Sequence, residues 1–366
     1  MSQPSIYCVI TADYEVFLGR NFLSYDEVLF KPSQQMMSVC EARSAPITFF
    51  ADVCSVWAHR SHENLGDYVN SFESQLKLAV RNGHDVQLHL HPHWLKSTYT
   101  NGEWRISSDQ MYLHELGFHE GQNSAGAVID AGVRYLDDLL RPVKPDYRCH
   151  AFRAAGLALQ PDGDKLVATL LRHGITVDAS VAKNLRLRMD TVNIDYSGMP
   201  EYANWFMNSS GGIRKPADDG LLEVPIATFQ SGLATRLGFL IRRAMSVTMR
   251  RGSSISRTEK QTRLANLMSL LHYNWRYVCT NAWFLFSCDT KGLTLKMLMD
   301  GIDNYISRHG SQNTICLSMI NHPKMMFQPQ FDLLGNLIDR MRDKYKDRVK
   351  FVTFADTLQH CQRKAG

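Results

Sequence analysis

Long apolar runs are missing from this chain. Nowhere in its 366 residues does an uninterrupted apolar stretch reach the roughly 18 residues of a membrane-spanning helix, so an integral membrane protein is not expected. The first residues, Met1 to Tyr7, lack the basic stretch, apolar run and small-residue cleavage site of a secretory leader, and no secretory signal is read there. CxxC pairs are absent as well. The eight cysteines (Cys8, Cys40, Cys54, Cys149, Cys279, Cys288, Cys316 and Cys361) are scattered, several of them in strand-like apolar runs. They are read as reduced thiols acting as small hydrophobes, in a cytoplasmic protein. Internal repeats, low-complexity tracts and interdomain linkers are not found either, so residues 1–366 are expected to form one domain.

Net positive charge is missing outside one segment. The formal net charge is +5, but the stretch from Arg236 to Lys260 carries seven basic residues against the single acid Glu259, leaving the remainder near neutrality. Binding of nucleic acid is therefore not expected, because the basicity belongs to one segment and not to a face of the whole protein.

A hydrophobic content of 44% with 21% charged residues describes an ordinary globular protein. Short β-branched and aromatic runs alternate with helical patterns, which predicts βα units around a largely parallel sheet. Strands are expected at Ile6–Thr11, Pro46–Val53, Asp85–Leu90, Cys149–Arg153, Thr176–Ser180, Leu222–Phe229, Thr314–Ile320 and Val349–Thr353. Helices are expected at Tyr68–Arg81, Ser124–Leu140, Pro161–Arg172, Leu293–Ser307 and Phe331–Lys344. About seven or eight strands with helical crossovers is a barrel-like count. The segment from about 232 to 290 interrupts the rhythm and reads as an inserted, basic helical segment.

Three histidines fall together in Gln87-Leu-His-Leu-His-Pro-His-Trp94, directly after a strand. Catalytic zinc sites usually take three protein ligands and leave a position for water, and His89 and His93 are spaced to lie on one side of a turn. A single such histidine would be read as structural; the cluster points to a metal. The first strand runs into Asp13-Tyr-Glu15, at the edge of the sheet where α/β sites sit. Two carboxylates beside imidazoles can divide into one metal ligand and one base. His322, after a late strand, and Arg153, after a middle one, carry little weight alone. His114-Glu-Leu-Gly-Phe-His119 has one residue too many for the HExxH of zinc proteases and is set aside.

Taken in order, these segments resemble the NodB-type polysaccharide deacetylases, the carbohydrate esterase family 4 group. Ile10-Thr-Ala-Asp-Tyr-Glu15 is similar to the family's first motif, Pro46-Ile-Thr-Phe-Phe50 to its Thr-Phe-Phe strand, and Gly83-His through His93 to its second motif at the same spacing. Arg153-Ala-Ala-Gly156 resembles the Arg-x-Pro-x-Gly motif without its proline and one residue shorter, and Asp178-Ala-Ser180 the Asp-x-Ser strand end. Glu223-Val-Pro225 and the run from Leu317 to His322 resemble the late motifs. The second Asp of the common first motif is replaced by Tyr14.

The resemblance implies a distorted seven-stranded (β/α) barrel holding one divalent metal, usually zinc, on a carboxylate and two histidines. Carried over, His89, His93 and Glu15 are the expected ligands and Asp13 the base, with the reverse assignment of the two acids open. Arg153 would orient Asp13 and keep it ionised, and His322 would donate to the leaving amine. His91, Trp94 and Asp178 are expected at the substrate. The activity implied is metal-dependent removal of an N-acetyl or N-formyl group from an amino sugar. For a cytoplasmic enzyme, the substrate would be a nucleotide-, lipid- or glycan-linked precursor. A hydrolase of small cyclic amides or imides and a catalytically inactive carbohydrate-binding relative are the alternatives. Residues 236–251 form an arginine-rich amphipathic pattern, a candidate for peripheral contact with an anionic membrane; a helix packed on the barrel is the competing reading.

Overall fold

The computed structural model describes residues 4–17, 23–188, 193–248 and 283–361. Ten strands share one sheet. In chain order they are β1 (Ser5–Tyr14), β2 (Ile47–Asp52), β3 (Asp85–Leu90), β4 (Ala151–Ala154), β5 (Val177–Asp178), β6 (Trp205–Asn208), β7 (Gly212–Ala217), β8 (Leu221–Glu223), β9 (Thr314–Met319) and β10 (Val349–Phe351). From β8 through β5, β4, β3, β2 and β1 to β9, every neighbouring pair is parallel. Beyond β8, Ile226 bridges in parallel to both Ala182 and Ser318 of β9, so the edges of the curled sheet meet. Seven parallel strands thus form a distorted (β/α) barrel. β10 pairs with the start of β1, and β6 and β7 extend β8 antiparallel.

The parallel strands are covered on both faces, which explains their nearly continuous apolar sequence. All six residues of β2, and all six of β3, are buried. The crossover helices bury one stripe each. In Gly66–Arg81 the buried residues include Tyr68, Phe72, Leu76 and Val80, a four-residue repeat that keeps them on one face. That helix gives way to β3 through Gly83, whose φ of 85° suits a residue without a Cβ. Ala125–Leu140 starts at Ser124, whose hydroxyl accepts the Ala127 amide, a cap of the kind that stabilises a helix by about 1 kcal/mol. Its Gly132 lies so close to β3 that a Cβ would stand 2.7 Å from Leu88 Cδ1.

Several short elements lie outside the predicted set. These are the helices Lys31–Glu41 and Val53–Arg60, the hairpin of Thr98–Thr100 with Glu103–Arg105, and the antiparallel β6–β7 pair. The predicted strand Leu222–Phe229 is two pieces, Leu221–Glu223 and Thr228–Phe229, separated by Val224-Pro225-Ile226-Ala227. Pro225 has no N–H for a ladder, which accounts for the break.

The inserted segment begins with the helix Leu233–Thr248, and its continuation over 249–282 lies outside the described residues. This helix is seated on the barrel through buried Phe239, whose ring centroid is 5.0 Å from that of Phe284. Arg242 Nε donates to the Gly292 carbonyl at 3.0 Å. Its outer face carries Leu233, Leu237 and Ile241, 54%, 45% and 61% exposed. No helix among the described residues is long and apolar enough to cross a membrane. The expectation of reduced thiols is met at buried Cys8, Cys40, Cys54, Cys149 and Cys288; it needs correction at Cys316, which is disulfide-bonded.

Candidate active site

Because the barrel strands are parallel, the side chains just past their C-terminal ends converge on one rim. The end of β1 supplies two carboxylates by simple alternation. Asp13 and Glu15 face the rim, while Tyr14 between them turns into the core against Phe49 and Phe72 and donates its hydroxyl to Gln75 at 2.7 Å.

Asp13 belongs to the arginine. Arg153 is fully buried and is held on three sides: Nη1 donates to Asp13 Oδ1 at 2.6 Å and to Thr11 Oγ1 at 2.7 Å, and Nε to the Ala179 carbonyl at 3.0 Å. Its guanidinium carbon lies 4.2 Å from the Phe50 ring centroid. Burial alone pushes the Asp13 carboxyl up; the Arg153 charge, with His89 and His322, more than reverses this and holds it below the ordinary range.

Glu15 belongs to the imidazoles and to a lysine. Its Oε2 is 2.5 Å from His91 Nε2 and 3.4 Å from His89 Nε2, while Oε1 accepts from Lys324 Nζ at 2.8 Å. Burial opposes ionisation here too, yet Lys324 and the two histidines hold Glu15 well below the usual carboxylate range. His89 Nδ1 lies 2.7 Å from the Arg153 carbonyl oxygen, which takes an Nδ1–H donor and turns Nε2 toward Glu15. Burial pulls the His89 pKa down, but Glu15, Asp13 and Asp52 bring it up to about 9.

His89 Nε2 and His91 Nε2 stand 2.9 Å apart, nitrogen facing nitrogen, with one carboxylate oxygen beside both. One proton can lie between two such nitrogens; a shared cation would satisfy all three atoms. Glu15, His89 and His91 each offer one donor atom, all within 4.8 Å of one another, and Asp13, Glu15 and His322 form a second such group. His93 is not in either group. It is 0% exposed, its ring centroid is 5.3 Å from that of His91, and neither of its nitrogens has a hydrogen-bond partner. Burial and the neighbouring His91 depress its pKa to about 3, leaving a neutral imidazole with two unpaired nitrogens.

Across the rim, His322 Nε2 is 3.5 Å from Asp13 Oδ2, and its Nδ1 is 2.7 Å from Asp289 Oδ2. The same Asp289 oxygen accepts the His322 amide at 2.8 Å, so the ring is pinned at backbone and side chain. Burial lowers the His322 pKa, and Asp289, then Asp13 and Glu15, turn the net shift upward. Asp289 and Lys324 were not singled out in the sequence. Cys288-Asp289 falls at the very end of the inserted segment, and Lys324 follows His322-Pro323, with no spacing rule to mark either.

The three residues expected at the substrate sit differently. His91 joins the donor group. Trp94 is 2% exposed, packed against His93 and Trp104. Asp178 is 0% exposed and accepts from the Ser180 amide and hydroxyl at 2.8 and 2.9 Å. In this conformation Trp94 and Asp178 support the walls and present no surface to a ligand.

No family model matches the chain, and no curated protein matches it in sequence. Among solved structures, similarity is found to a Mycobacterium smegmatis protein provisionally described as a polysaccharide deacetylase, at 11% identity and TM-score 0.45, over 98% of this chain and 90% of that one. PuuE allantoinase is similar at 14% identity and TM-score 0.46, over 98% and 91%. The 4-alpha-glucanotransferase of Thermococcus litoralis reaches 9% and 0.45, over 98% of this chain and 40% of its own. Likeness this loose spans more than one chemistry and assigns none.

Proposed function

We propose that the chain is a metal-dependent hydrolase of amide bonds that removes an acyl group, acetyl foremost, from the nitrogen of an amino sugar. The observation that carries the reading is the division of labour between Asp13 and Glu15. One carboxylate is tied to a buried arginine and the other to two imidazoles, two residues apart on one strand end.

The residues fit a divalent cation. Glu15 and His89 would hold it, with His91 or His93 as third donor, and an oxygen–nitrogen–nitrogen set suits zinc. The nitrogen-to-nitrogen contact of His89 with His91 and the unpaired nitrogens of His93 are what such a cation would relieve. A cation held there would supply Lewis acidity toward the amide carbonyl and would acidify water.

The chain's own groups divide the proton work. Asp13 Oδ1 is held by Arg153, which leaves Oδ2 to accept a proton from water. Arg153 keeps that carboxylate ionised. His322, with Nδ1 bonded to Asp289 and Nε2 facing the rim, holds the proton destined for the leaving nitrogen. The preference for an amino sugar rests on the order of motifs along the sequence.

The nucleotide-, lipid- or glycan-linked form of the sugar is part of the same proposal. A lipid-linked one is favoured by the exposed stripe of Leu233, Leu237 and Ile241 on an arginine-rich helix, a shape that can lie on an anionic surface. Arg242, bound to Gly292, serves the barrel instead.

An amine-release screen over N-acetylated and N-formylated amino sugars, run beside cyclic imides, tests the reading. Release from a sugar amide supports it. Turnover confined to cyclic imides would replace the substrate class, and a metal-free protein that binds sugars without turnover would replace the enzyme by a binding relative.

A further inference from the structure

We infer that Lys324 is a positioning residue that restricts Glu15 to one metal-facing oxygen. The inference rests on the metal-centre reading given above and goes beyond it, since no motif includes this lysine.

Glu15 has two oxygens with different neighbours. Oε2 faces the nitrogens of His91 and His89 at 2.5 and 3.4 Å, and Oε1 is taken by Lys324 Nζ at 2.8 Å. The ammonium is itself anchored, donating also to the Val16 carbonyl at 3.0 Å, with the Phe17 ring centroid 5.3 Å away. Both side chains are nearly enclosed, Lys324 at 10% and Glu15 at 9% exposure, so the pair has little water to fall back on. A buried charge that loses its partner must find another. With Lys324 in place, Oε1 is satisfied and turned from His89 and His91, with His322 Nε2 3.9 Å away on its other side. Without it, Oε1 is a buried lone pair beside an incoming cation, and the carboxylate would close onto the cation with both oxygens.

The lysine therefore sets the coordination number, which a purely electrostatic neighbour would leave alone. A carboxylate held to one oxygen keeps a position open for water, the arrangement that distinguishes catalytic from closed sites.

The test uses the full-length protein loaded with Co²⁺, whose visible ligand-field bands weaken as coordination number rises. Wild type, Lys324→Met and Lys324→Gln are compared for Co²⁺ stoichiometry, affinity and band intensity, with circular dichroism to confirm folding. Wild type is expected to show the strong bands of low coordination and Lys324→Met weaker ones at unchanged stoichiometry. Lys324→Gln, which keeps a donor for Oε1 without the charge, is expected to retain the wild-type bands, and it carries the test alone if the Met variant does not fold. Altered bands in Lys324→Gln would overturn the inference. So would tighter binding with unchanged bands in Lys324→Met, which would leave the lysine an electrostatic role only. If wild type takes up no Co²⁺, the failure lies with the metal-centre reading instead.

Discussion

The two ends of the barrel are built from similar residues and do opposite things with them. At the N-terminal end a cavity of about 1050 Å³ is lined by Asp85, Asp137, Arg141, Lys144, His150 and His173, among others. Its acids are served by the fold. Asp85 accepts from Gln87 Nε2, Thr48 Oγ1 and the Ala355 amide at 3.0, 3.3 and 3.1 Å. Asp137 accepts from the Cys149 amide at 2.9 Å and pairs with Arg141. At the C-terminal end the groups press on one another. Two imidazole nitrogens face each other, His93 has no partner, and Glu15 is shared by four side chains. Size and charge thus mark the first region, but unmet coordination marks the second. Buried polar groups left short of partners are costly in a purely structural role.

Asp13→Asn should open the widest gap between the ends. Loss of the base is expected to cut turnover by about 10³–10⁴. It also leaves Arg153 buried beside a neutral group, and breaking such a pair typically costs about 3–5 kcal/mol. Amine-release kinetics and urea unfolding read the two effects separately. Turnover within tenfold of wild type would remove Asp13 from the proton path.

His322→Ala is expected to lower kcat by about 10²–10⁴ while the metal stays. Asp289→Asn should act through that histidine and less severely. Asp289 raises the His322 pKa, and if His322 is the acid, activity is expected to fade as pH rises through that pKa. Removing the carboxylate should therefore move the alkaline limb of the pH–rate profile to lower pH. An unmoved limb would mean that His322 is not the acid. The smallest effect belongs to the other end. Arg141→Ala removes a half-exposed pair and should change unfolding stability by about 1 kcal/mol or less, with turnover untouched. A large loss of turnover there would break the contrast.

How far the sequence discloses this arrangement depends on the range of the interaction. β3 runs over Asp85–Leu90, where its apolar run and the Asn82-Gly83 turn predict it, because both signals are local. The carboxylate pair at the end of the first strand and the histidines at and just past the end of the third are legible for the same reason. Which imidazole meets Glu15 is not. His91 and His93 differ in where the chain turns after Leu90, into the short Pro92–Lys96 turn, and spacing alone favours His93. Asp289 reaches His322 across 33 residues and Lys324 reaches Glu15 across 309, contacts that only the closing of the barrel creates. The short helices Lys31–Glu41 and Val53–Arg60 are hard to read for different reasons: Phe30 ahead of the first is no capping residue, and Asp52 ahead of the second accepts the His91 amide at 3.2 Å instead of capping the helix.

The account stands most directly on metal binding at the C-terminal rim. Elemental analysis after desalting, on wild type, Glu15→Gln and His89→Ala with native circular dichroism, measures it in one experiment. We expect close to one equivalent of a divalent metal in wild type and almost none in either variant, with N-deacylation lost alongside and restored to chelated wild type by added zinc. A full equivalent retained by Glu15→Gln, or a folded wild type that takes up no metal, would contradict the account.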